Sequence, residues 1–148
     1  MFDKFSYHWK SLEKKGIITK EEYIKATFTQ HYRTIDEFKK PFDDPNSEIS
    51  KAGLRLRSCE TRLTDCPFKI NYQKNKKTMS SKEYAETLIP TLRSWSETVF
   101  KTALIGRDIS EINSIVDQFY NAYQLEVIND PEGHAMDYVH IIMDIEKI

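Results

Sequence analysis

At 148 residues the chain is long enough to form one domain around a real hydrophobic core. Hydrophobic residues make up 39% and charged residues 30%, and 22 basic against 23 acidic residues leave neither a basic stripe nor an acidic tail, so nucleic acid is not a favoured partner. No apolar run nears the roughly 20 residues that span a bilayer, so no membrane partner is expected, and the isolated glycines Gly16, Gly53, Gly106 and Gly133 make no phosphate-cradling loop.

Residues 2–14 are predicted to be helical, because Phe2, Phe5, Trp9 and Leu12 recur at helical spacing. Gly16 suits the left-handed position that ends a helix. Thr19 and Glu22 form a capping box that starts a short helix through Ile24. Residues 28–32 are predicted extended or irregular. Thr34 and Glu37 form a second box, for a helix expected to run to Lys40, where Pro41 stops it. Residues 43–47 read as a turn, and Ser47 as the cap of one more short helical turn through Lys51.

Residues 54–63 alternate, with Leu54 and Leu56 opposite Arg55 and Arg57, the pattern of a half-buried strand. The stretch Phe68, Lys69, Ile70, Asn71, Tyr72 alternates again and is expected to continue that ribbon. Residues 74–80 form a polar, basic loop. Ser80 and Glu83 make a third capping box, for a helix whose apolar stripe is predicted to be Tyr84, Leu88, Leu92, Trp95, Val99 and Ala103, kinked at Pro90. After a break at Gly106, Asp108 and Glu111 predict a fourth box. The helix it starts should present Ile112, Ile115, Val116, Phe119, Tyr120, Tyr123 and Val127 on one face. Residues 129–133 read as a turn and residues 138–145 as a closing strand. Such a strand needs a sheet to join, and few other strands are on offer, so the ribbon is expected to dock beside neighbours that this sequence does not encode.

Cys59 and Cys66 lack the CxxC pairing of a metal site and read as two structural thiols. The absence of a secretory leader points to a reducing compartment, and a cytoplasmic location is the expectation.

Four collinear stretches carry a resemblance. They are WKSLEKKGIITKEE (residues 9–22), HYRTIDEF (31–38), AETLIPTLRSWSET (85–98, with Arg93-Ser94 and Glu97), and residues 115–145, where Asp117, Phe119 and Tyr120 lead into a Tyr-Val-x-Ile-Ile closing strand. In this order they resemble the C-terminal portion of the plant-type, SABATH-type S-adenosylmethionine carboxyl methyltransferases, which methylate salicylate, benzoate, jasmonate and related small acids. The resemblance covers nearly the whole chain. It implies an α/β fold by parentage (a class I methyltransferase), of which residues 1–148 are a single unit: a mainly helical, cap-like layer plus two or three antiparallel strands. It also implies that the N-terminal cofactor-binding half, with its Gly-rich loop, is missing. S-adenosylmethionine is then the cofactor of the parent enzyme, with none expected for this chain alone. The implied partners are a small carboxylic acid and either the missing half or a second copy of the chain.

The same resemblance places Tyr32, Leu92, Trp95 and Tyr138 at the family's substrate pocket, as aromatic and apolar walls. Direct displacement by a carboxylate needs position and desolvation rather than acid–base groups, so no catalytic residue is expected. His8, His31, His134 and His140 show no i, i+4 metal pair. His31 is a candidate contact for a substrate carboxylate. Arg93 is another, set against a simple ion pair with Glu97 four residues on. The competing reading is a non-enzymatic helical module for binding or oligomerisation, using the apolar stripe of residues 112–127 and the free closing strand.

Overall fold

The structure is a computed structural model that describes residues 1–29 and 31–148. It runs α1 (Phe2–Lys14), α2 (Lys20–Lys25), α3 (Ile35–Asp43), α4 (Glu48–Lys51), β1 (Leu54–Thr64), α5 (Pro67–Lys74), α6 (Ser81–Ala103), α7 (Ile109–Asn129) and β2 (Tyr138–Lys147). The described residues are thus mainly helical with one two-stranded antiparallel sheet. They divide into two compact units. Unit 1 is Met1–Phe28 with Cys66–Met136, and unit 2 is Thr29–Asp65 with Asp137–Ile148.

Unit 1 is a helical body packed around aromatic rings. The face of α7 buries Ile112, Ile115, Val116, Phe119, Tyr120, Tyr123 and Val127, the set expected from its spacing. Helix α1 contributes Phe5, Trp9 and Leu12. Phe100 of α6 sits at the centre, 4.2 Å between ring centroids from Phe119, 4.9 Å from Trp9 and 5.7 Å from Phe5. Offset and edge-on contacts of this kind contribute beyond their buried area. Gly16 turns the chain out of α1 at φ +70°, and the Thr19–Glu22 and Ser80–Glu83 boxes both close.

Three expectations in unit 1 are corrected. Phe68–Tyr72 is not strand, because Pro67 at the first helical position starts α5. Helical spacing then turns Phe68 and Tyr72 inward, with Tyr72 stacked on Tyr84 at 4.9 Å. The buried stripe of α6 runs through Ser96 and Phe100 rather than Trp95 and Val99. Ser96 tolerates this because its hydroxyl donates to the Leu92 carbonyl (2.6 Å) and meets the Tyr120 hydroxyl (2.6 Å). The fourth capping box does not form: Asp108 caps α7 without a side-chain bond, and the Glu111 carboxylate is taken by Arg107.

In unit 2, α3 and α4 pack on β1, and β1 pairs antiparallel with β2 from Leu54↔Lys147 to Thr64↔Tyr138. The register shifts between Leu56 and Ser58, leaving Arg57 as a bulge residue whose guanidinium reaches Glu146. Gly53, at φ +72°, lets Ile148 donate its N–H to the Gly53 carbonyl at 2.8 Å and closes that end of the ribbon. The Thr34–Glu37 box starts α3, but Pro41 does not stop it. Pro41 lies in the last turn, where little helix remains to disrupt, and the Ser47 hydroxyl donates to its carbonyl. Within the 28–32 stretch, Gln30 lies outside the described residues.

Candidate functional site

In unit 1, α6 holds Trp95 one turn beyond Leu92. Leu92 has no accessible surface and packs into the core, whereas Trp95 is 37% exposed. Beneath Trp95 lies an aromatic floor. Its ring centroid is 6.1 Å from Phe2, 5.9 Å from Phe5 and 6.2 Å from Phe28. Phe28 in turn stacks on Phe5 at 5.7 Å. A partly exposed indole therefore rests on three phenylalanine rings, an aromatic surface suited to a flat apolar group. Neither Phe2 nor Phe28 is among the site residues expected from the sequence. Their signal was present in the α1 periodicity for Phe2, but nothing local marks Phe28.

A cleft of about 240 Å³ adjoins the same floor, lined by Phe5, Trp9, Tyr23, Phe28 and Phe100 with Ser6 at its polar side. It is smaller than the ~300–1,000 Å³ of drug-sized pockets and suits a single small ring. Tyr32, Leu92, Trp95 and Tyr138 are not among its lining residues.

Arg93, beside Trp95 on α6, is engaged. Its Nη2 lies 2.7 Å from Glu97 and 2.7 Å from Asp117, and its guanidinium sits 5.2 Å over the Tyr120 ring. The Glu97 bridge expected from the spacing is present, and Asp117 adds a second carboxylate from α7. Hydrogen bonding to Glu97, then Asp117, holds Arg93 above its ordinary pKa against the opposing effect of burial. Burial pushes the Tyr120 hydroxyl up to about 12, against the Ser96 bond, so it stays protonated.

The other two candidates belong to unit 2. Tyr32 precedes α3 and is 74% exposed. Tyr138 opens β2, 47% exposed, with its ring 6.1 Å from that of His140. His31 Nε2 lies 3.5 Å from Glu37, the carboxylate that closes the α3 box. His8 and His134 are buried in unit 1. Among the described residues, no group of three or more His, Cys, Asp or Glu is placed to hold a metal ion, and no helix is long and apolar enough to cross a membrane. Cys59 is a free thiol, and Cys66 is buried. No protein-family model and no curated protein matches the chain.

Proposed function

We propose that this chain is the substrate-side part of an S-adenosylmethionine-dependent methyltransferase of the carboxyl-methyltransferase type, working on a small organic acid together with a cofactor-binding half. The reading begins from the four collinear sequence matches. The observation that carries it furthest is the condition of β2. Tyr-Val-His-Ile-Ile-Met-Asp-Ile is the composition of a strand covered on both faces in a larger sheet. Yet Val139 is 70% exposed and Ile145 43% exposed, and among the described residues the strand has one partner, β1. A two-stranded ribbon is marginal in water, and an α/β parent supplies the sheet it lacks.

S-adenosylmethionine, held by the cofactor half, would supply an electrophilic methyl to a carboxylate oxygen of the acid. The protein's work is then to bind, orient and dehydrate the acid. In this reading the exposed part of Trp95 stacks the apolar body of the acid. Leu92 anchors the α6 turn that carries Trp95.

The test combines the purified chain with a separately supplied cofactor-binding half of a carboxyl methyltransferase, methyl-labelled S-adenosylmethionine and a panel of small acids. The expected product is a base-labile labelled ester, reduced at least about tenfold by Trp95→Ala through lost stacking. A combination that binds the cofactor yet esterifies no acid contradicts the reading. Calorimetry of the chain alone with S-adenosylmethionine should give no heat of binding. The same open strand edge favours a second reading, a non-enzymatic oligomerisation module. A stable dimer by light scattering that ignores every acid would favour it.

A further inference from the structure

Unit 1 contains a cluster that the proposed reaction does not use. Glu126, on the last turn of α7, is a hub for three cation-forming groups, two from α1 and one from the segment after α7. Its Oε2 lies 2.6 Å from Nε2 of His8 on α1, and its Oε1 meets the Lys4 ammonium. The same Oε1 is 3.6 Å from Nε2 of His134, which follows the turn after α7. His134 is 3% exposed, and its Nε2 is buried without a hydrogen-bond partner. The Tyr123 ring separates the two imidazoles, 5.3 Å from His8 and 5.5 Å from His134.

The turn is fastened on its other side. The Tyr84 hydroxyl donates to the His134 carbonyl at 2.6 Å, and the Lys69 ammonium donates to the Pro131 carbonyl at 2.5 Å and lies 2.9 Å from Glu132. Met136, buried, ends the fastened segment two residues before β2 begins.

Charge counting shows what acid does here. Glu126 is already matched by Lys4. The remaining charges facing the cluster are Asp130 at the end of α7, and Lys15 and the Met1 amino group at the two ends of α1. Tyr7 of α1 packs on His8, and Tyr84 of α6 donates its hydroxyl to the segment at the His134 carbonyl. Protonating both imidazoles, themselves buried, places two more positive charges beside one part-buried carboxylate, with no second carboxylate hydrogen-bonded to them among the described residues. Burial pushes both histidines below their ordinary pKa of 6.5, and the Glu126 carboxylate only partly opposes it.

We propose that His8, Glu126 and His134 form a proton-operated latch, which fastens α1 and the segment of residues 130–136 to α7 while both imidazoles are neutral and releases that segment on acidification. The sign follows from linkage. Neutral imidazoles are favoured in the closed state, so stability is complete above 6.5 and falls as pH drops below it. At one pH unit below the ordinary value, each imidazole that charges only on opening raises the open population about tenfold.

The experiment is amide hydrogen exchange on the full chain at pH 7.5 and 5.5, corrected for intrinsic exchange, with imidazole titration by NMR. Opening of residues 131–136 should rise at least about tenfold relative to the α6 core, following the two imidazoles. The His8→Gln, His134→Gln double variant should lose that response. An unchanged opening in the wild type, or a full acid response in the double variant, overturns the latch. Should the double variant not fold, the wild-type midpoint decides: opening that follows the carboxylate range instead of the imidazoles overturns it equally.

Discussion

Arg107→Gln should cost stability in a way that pH can dissect. Arg107 follows the Gly106 break and reaches back to the start of α2, with Nε 2.6 Å and Nη2 2.8 Å from the two Glu22 oxygens. Its Nη2 also donates to the Ile17 carbonyl at 3.2 Å. The Arg107 bond is the main cause that brings Glu22 down from 4.5 to about 2, against burial and aided by the Thr19 capping bonds. A carboxyl so displaced stabilises the fold by at most about 3 kcal/mol, at about 1.4 kcal/mol per pKa unit. The capping bonds survive the substitution, so the expected loss at neutral pH is about 2 kcal/mol. Glu111, the other ion-pair partner, is half exposed and adds little. Because the folded pKa lies below the unfolded one, this stability is present above 4.5 and disappears as pH falls from 4.5 towards 2. Urea unfolding of wild type and variant at pH 7, 4 and 2.5 measures the difference. A gap at pH 7 below about 0.5 kcal/mol, or one that stays constant into acid, refutes the assignment.

Phe100→Ala removes the ring at the centre of the unit 1 core and should cost about 3–5 kcal/mol, read as a lowered urea midpoint. Tyr120→Phe should cost only about 1 kcal/mol in the same assay, because Ser96 keeps its bond to the Leu92 carbonyl. Gly53→Ala meets both a left-handed φ of +72° and the Ile148 carbonyl 2.7 Å from the new Cβ. It should cost about 1–2 kcal/mol and speed amide exchange at Ile148 more than in α7.

What was legible in the sequence was what neighbouring residues settle among themselves. The boxes at Thr19, Thr34 and Ser80 close because Ser or Thr and Glu three residues on need only each other. The inward face of α7 and the Leu54/Arg55/Leu56/Arg57 alternation of β1 follow from periodicity. The misreadings arose where a distant partner decides. Glu111 serves Arg107 rather than a cap, and Ser96 turns inward because Tyr120 awaits it from α7. Phe68–Tyr72 carries both periods, and the preceding Pro67 with the Tyr84 ring tips it to helix. At the candidate site, Trp95 was legible as an aromatic on α6. Its floor of Phe2 and Phe28 was not, since those residues meet it only through the packing of unit 1. The Glu126 hub joins residues 118 apart in sequence and leaves no local signature.

The central physical claim is that β2 is composed for the interior of a sheet and has one side of that sheet. Residue-resolved amide hydrogen exchange on the purified chain measures this most directly. Every second amide of β2 points away from β1, and the account predicts that these exchange orders of magnitude faster than the amides of α7. Under the proposed function, binding of a cofactor half should slow them. Uniform protection along Tyr138–Lys147 equal to that of α7, in a chain that light scattering shows to be a monomer, would contradict it.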